Sequence, residues 1–135
     1  MTMSLAQALA VVAAGEKRAT EINVPSVIAV VDEGGNLKAQ HRMDGASLAA
    51  IEVSLGKAFS AAATNNSTAD LAKQCQPGEP LYGLQNTHNG RIVIFGGGVP
   101  LHANGQLIGG VGSSGGTVAQ DIVIAQAAAA VLGEN

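Results

Sequence analysis

The stretch Gly96–Asp121, GGGVPLHANGQLIGGVGSSGGTVAQD, limits the fold of this chain more tightly than any other. It follows an apolar run, Arg91–Phe95, that predicts a strand. Val99–Ala103 and Gln106–Gly112 flank Asn104-Gly105, a pair that tolerates the positive φ of a two-residue turn, so these runs predict a hairpin. Ser113-Ser114-Gly115-Gly116 then predicts a turn feeding a helix, with Thr117 as N-cap and Gln120 completing a capping box. Such a helix start presents unpaired amides at the positive end of a dipole, a setting suited to an anionic or carbonyl group.

The rest of the chain supplies what this unit packs against. Ser4 with Gln7 predicts the cap of a helix over about Leu5–Glu21, ended before Pro25. SVIAVV (Ser26–Val31) predicts a buried strand, Asp32–Asn36 a turn and Leu37–Met43 a second strand. Asp44–Ser47 leads into a helix whose apolar stripe is Leu48, Ile51, Leu55, Phe59 and Ala62, with Lys57 on the other side. Ser67 or Thr68 caps a short helix through Gln74. The aperiodic run from Pro77 to Asn89 predicts a mobile or site-lining loop, Asn89-Gly90 opens a second hairpin, and the last helix runs from Val118 to about Leu132, before Gly133. Strands joined by tight turns must be antiparallel, which makes this an α+β domain over 1–135.

Charged residues are only 13% of the 135, while hydrophobic ones reach 47%. So few charges cover a monomer's surface poorly, which predicts a homo-oligomer. The final helix, IVIAQAAAAVL, is apolar nearly all round and predicts burial on more than one side. A net charge of −3 with no basic run, no Trp and three other aromatics argues against nucleic acid. Cys75 is alone, which excludes an internal disulfide and fits a reducing cytoplasm. The N-terminal apolar run lacks a basic segment before it and reads as an amphipathic helix rather than a leader. No stretch approaches a membrane span.

Two motif matches fail on context. Gly110–Gly115 spells GxGxxG, but a dinucleotide fold needs a further strand ending in an acidic residue about twenty positions on. Glu134 stands at about that distance and follows a helix. Gly112–Gly116 spells GxSxG, but no His follows Ser114, which excludes a hydrolase of that order. Close helix–sheet packing accounts for the glycines equally well. The histidines, His88, His41 and His102, form no HxH or HxxxH pair, so there is no zinc signal. A single His suffices to ligate heme iron, and His88, in the loop, is the freest to serve. Arg42 and Asp44 read either as a carboxylate-holding Arg with its orienting Asp, or as an ion pair with a helix cap. Asp121 reads as a first-turn acid on the dipole.

The segments RMDGAS (Arg42–Ser47), GKAFSAAA (Gly56–Ala63), GGGVPL (Gly96–Leu101) and Gly105–Ala128 resemble the GlcG/HbpS family. That group includes OrfY proteins and the C-terminal domain of PduO-type corrinoid adenosyltransferases. The resemblance implies a profilin-like fold with a five-stranded antiparallel sheet flanked by helices, in dimers that assemble further, in some members to octamers. It also implies binding of heme or a related tetrapyrrole, with weak heme degradation in some members. Arg42, Asp44, Gly45, Lys57, Gly97, Pro100, Gly105, Gly115, Gly116 and Asp121 match the family pattern; Ser113 stands where relatives commonly have Val.

Three functional readings stay open on this basis. In the first, an oligomer binds a tetrapyrrole between subunits, with a His on iron and Arg42 or Lys57 near propionates. In the second, an enzyme or accessory factor of diol, glycerol or glycolate metabolism holds a carboxylate or phosphate at Ser113, Ser114, Gly115, Gly116 and Thr117. The third is a structural assembly protein without pocket chemistry.

Overall fold

The computed structural model describes residues 2–133; Glu134 lies outside them. Helix α1 (Leu5–Glu21) starts at the expected capping box, with the Gln7 amide donating to Ser4 Oγ at 3.0 Å and the Ser4 amide to Gln7 Oε1 at 2.9 Å. Strands β1 (Val27–Asp32) and β2 (Leu37–Arg42) form a hairpin, and α2 (Ala49–Thr64) and α3 (Thr68–Gln74) follow. Two short 3-10 turns, Leu84–Asn86 and His88–Gly90, lead to β3 (Gly98–Ala103), β4 (Gln106–Ser114) and α4 (Val118–Ala130). Asn104 and Gly105, at φ +52° and +73°, make the expected tight turn between β3 and β4.

The fold is α+β with an antiparallel sheet, but the sheet has four strands, in the order β2-β1-β4-β3, and not five. Arg91–Phe95 forms no strand: Arg91 closes a 3-10 turn at φ −76°, ψ −19°, and Ile92–Ile94 pairs with no strand of the sheet. The Val93 amide donates to Ser60 Oγ on α2 at 2.8 Å, and Ile92 is buried with Phe59 and Leu71. A side chain of a helix takes the place of a neighbouring strand, so the apolar run covers α2 instead of widening the sheet. Asn89-Gly90 accordingly opens no hairpin and lies in a 3-10 turn. Ser113 and Ser114 extend β4, and the turn begins only at Gly115.

β1 separates two layers by its alternation. Ile28 and Val30 pack with Val11 and Val12 of α1, Val111 of β4, and Ile124 and Ala128 of α4. Ala29 and Val31 face Ala58 and Ala62 of α2. On that second face the contact is backbone to backbone, because β4 presents glycines. A Cβ at Gly110 would overlap the Ala58 carbonyl oxygen, and one at Gly112 the Ser54 carbonyl oxygen.

This contact corrects the expected orientation of α2 in part: Phe59 and Ala62 are buried and Leu55 packs against the sheet cluster as expected, but Lys57 and Leu48 are reversed. Its buried residues include Ala50, Ser54, Lys57, Ala58, Ala61 and Ala62, while Leu48 is 78% exposed. Lys57 therefore points inward. Among the described residues no helix is long and apolar enough to cross a membrane.

Candidate functional site

Lys57 is the largest fully buried side chain, and it ends beneath the glycine turn. Its Nζ donates to the Ser113 carbonyl at 2.8 Å and to Asp121 Oδ2 at 3.0 Å, and lies 5.1 Å from the centre of the Phe95 ring. Desolvation pulls the Lys57 pKa below its ordinary 10.5, and the charge and hydrogen bond of Asp121 act against that fall. Asp121 Oδ1 accepts the Gly116 amide at 3.0 Å. Asp121 is thus far more than a first-turn acid: it ties α4 to α2 and to the turn at once.

That tie decides what the turn can hold. The Gly116 amide is bound by Asp121, the Thr117 amide by Gln120 Oε1 at 2.9 Å, and the Gln120 amide by Thr117 Oγ1 at 3.2 Å. A carboxylate is thus already present at this helix start, the chain's own Asp121 on the Gly116 amide. The turn is an internal joint among Lys57, Ser113, Gly116 and Asp121. Ser113 adds one loose end, since its hydroxyl is fully buried with no hydrogen-bond partner among the described residues. It stands opposite Ile28 in β1. Leaving such a hydroxyl unpaired costs about 1–3 kcal/mol, so Ser113→Ala is expected to hold or raise stability by about 1 kcal/mol in urea melts.

The remaining candidates are dispersed. Arg42 and Asp44 are exposed at the end of β2, and no ion pair joins them. Asp44 does not cap α2 either; the Ala50 amide donates to Ser47 Oγ at 3.3 Å. Pro100 sits in edge strand β3 opposite Gly110. His41 Nδ1 bonds Glu16 Oε1 at 2.6 Å and His102 Nε2 bonds Asn65 Oδ1 at 2.8 Å, each joining a strand to a helix. Cys75 is buried, and burial pushes its thiol pKa up, away from the reactive thiolate.

His88 differs from the other two. It has φ +54° and is followed by Asn89 at +56° and Gly90 at +77°, three successive left-handed residues. A non-glycine residue held there stores about 1–2 kcal/mol of strain. Its Nδ1 lies 2.8 Å from Thr87 Oγ1, and that hydroxyl donates its single proton to the Leu84 carbonyl at 2.7 Å. With its proton so placed, Oγ1 can accept from His88 Nδ1–H, the neutral tautomer that keeps a lone pair on Nε2. The ring packs edge-on against Phe59, centroids 5.8 Å apart.

Phe59 also carries the Arg91 guanidinium, 3.7 Å from its ring centre. Beside this group a cleft of about 250 Å³ opens between α2 and the following chain, lined by Glu52, Val53, Leu55 and Gly56 on one side and Asn89–Arg91 and Val93 on the other. Sequence reasoning missed Arg91, Glu52 and the Thr87–His88 pair. The signal available was Asn89-Gly90, whose tolerance of positive φ marked a turn but not its direction.

Comparison with known proteins agrees with this architecture. The family profile described as haem degrading protein HbpS-like matches residues 3–130. A 15.0 kDa protein of the dhaT-dhaS intergenic region of Citrobacter freundii is 49% identical over 127 residues, 94% of this chain and 89% of its own length. The crystal structure of Klebsiella pneumoniae protein ORFY superposes with a TM-score of 0.95 at 48% identity, over 100% of this chain and 93% of that one. The crystal structure of a PduOC:heme complex superposes with a TM-score of 0.91 at 40% identity, over 96% of this chain and 94% of that one.

Proposed function

The chain belongs to the HbpS-like family, and on that footing we propose that it binds heme against the α2 cleft, with His88 as the iron ligand. The state of His88 carries this reading. An axial histidine needs an unprotonated ring nitrogen, and it usually donates its other N–H to a fixed acceptor, which sets the tautomer and the ring orientation. Thr87 is that acceptor here, and the left-handed backbone at 88–90 is the kind of local strain that gathers at binding sites. Val53, Leu55 and Val93 provide an apolar wall in the cleft that the next residues of the same turn, Asn89–Arg91, line. The PduOC relative's complex with heme supports the same ligand class.

The fit is to one side of a tetrapyrrole. A cleft of about 250 Å³ is smaller than the roughly 300–1,000 Å³ of sites that enclose drug-sized ligands. A second copy of the chain covers the opposite side, consistent with the low charge content and with Leu48, Val118 and Val131 lying exposed. Lys57, fully buried and paired with Asp121, is not available to a propionate. Bound iron would supply the oxygen chemistry of any degradation; the chain's own part is to ligate, orient and shield.

Titration of the purified protein with hemin tests this. The expected result is a shifted Soret band with an end point of one hemin per two subunits. His88→Ala is expected to weaken binding by about tenfold or more, the scale of a lost charge-assisted or coordinate contact. His41→Ala and His102→Ala are expected to leave it near wild type. Absence of a shift, or a His88→Ala protein that titrates like wild type, overturns the reading.

A further inference from the structure

Two charges line the cleft without a charged partner among the described residues. Arg91 and Glu52 line it from opposite sides, and neither takes part in an ion pair or a side-chain hydrogen bond among the described residues. Arg91 is nevertheless well placed. Its guanidinium rests on the Phe59 ring, 3.7 Å from the ring centre. An arginine stacked on an aromatic ring has lost much of its freedom before any ligand arrives, and its donor edge is left for a planar, bidentate acceptor.

We propose that this cleft is a carboxylate site, with Arg91 as the anchor, Val53, Leu55 and Val93 against the apolar body, and Glu52 accepting from a hydroxyl or ammonium group on the same ligand. Glu52 also disfavours a second carboxylate at its end, so the site prefers monoacids. The volume equals about eight water molecules at their share of the liquid, which suits an acid of about eight to ten non-hydrogen atoms. The carboxylate has two sources: a propionate of a tetrapyrrole held by His88, which rests on the heme reading, or a free small acid, which does not.

Calorimetric titrations of wild type, Arg91→Gln and Glu52→Gln separate these sources. The probes are hemin, hemin dimethyl ester, 4-methylpentanoate, 2-hydroxy-4-methylpentanoate and leucine. If the propionate is the occupant, Arg91→Gln weakens hemin by about tenfold or more and leaves the dimethyl ester unchanged. If a free acid is the occupant, the hydroxy acid or leucine binds wild type more tightly than 4-methylpentanoate. Arg91→Gln then abolishes that binding, and Glu52→Gln erases the preference. Should Arg91→Gln melt early, Arg91→Lys keeps the charge but loses the planar fork, and an intermediate affinity is expected. If hemin fails to bind wild type, the heme reading falls and the acids alone decide. The proposal is overturned if no acid binds wild type and hemin binds Arg91→Gln, or the dimethyl ester, as it binds the native pair.

Discussion

Gly112→Ala is expected to cost about 3 kcal/mol or more of folding stability, at the upper end of overpacking effects, and to lower the melting temperature by about 10 °C. The added methyl would overlap the Ser54 carbonyl oxygen and stand 2.7 Å from the Ala58 amide nitrogen, both backbone atoms of α2. A flexible side chain can yield; a helix backbone cannot without lifting off the sheet. Lifting would also disturb the Lys57–Ser113 bond and the contact of Ala58 with Ala29 and Val31. Urea unfolding of the variant measures the cost directly. A loss under about 1 kcal/mol would mean that α2 does not sit on β4 as closely as described.

The second large effect concerns Lys57 and Asp121. Asp121→Ala leaves the buried ammonium with only the Ser113 carbonyl and frees the Gly116 amide, so the expected loss is about 3–5 kcal/mol, the range for breaking one half of a buried pair. Lys57→Met combined with Asp121→Asn removes both charges and is expected to recover a large part of that loss. The pH dependence has a definite sign. Because the folded pKa of Lys57 lies below the unfolded value of 10.5, the unfolded chain binds the proton more tightly in the window between them. The contribution of Lys57 to stability is therefore full above 10.5 and is lost as pH falls through the lowered value. Relative to Lys57→Met, wild type should gain stability as pH rises from neutral toward 10.5. A flat or falling difference would contradict the buried, desolvated amine.

Much of the architecture could be read from local chemistry. The Ser4–Gln7 and Thr117–Gln120 boxes, the Asn104-Gly105 turn and the β-branched run at Val27–Val31 each encode their element in a few neighbouring residues. The misread parts depend on partners distant in the chain. Arg91–Phe95 has the composition of a strand, but the hydroxyl that binds Val93 belongs to Ser60, 33 positions earlier. Lys57 resembles a solvent-facing charge because its counter-ion, Asp121, is 64 residues away. The glycine turn signalled a place for a carboxylate, and α4 brings one of its own to the Gly116 amide. His88 was legible as a candidate; the Thr87 contact and the left-handed backbone that distinguish it from His41 and His102 were not.

The central claim is that the ligand lies between α2 and the 87–93 turn, and not at the start of α4. Hydrogen exchange followed by mass spectrometry, with and without hemin, tests it most directly. The account predicts slowed exchange in peptides covering Glu52–Lys57 and Thr87–Val93, with Gly115–Gln120 unchanged. Protection confined to Gly115–Gln120, with the 87–93 turn unaffected, would contradict it.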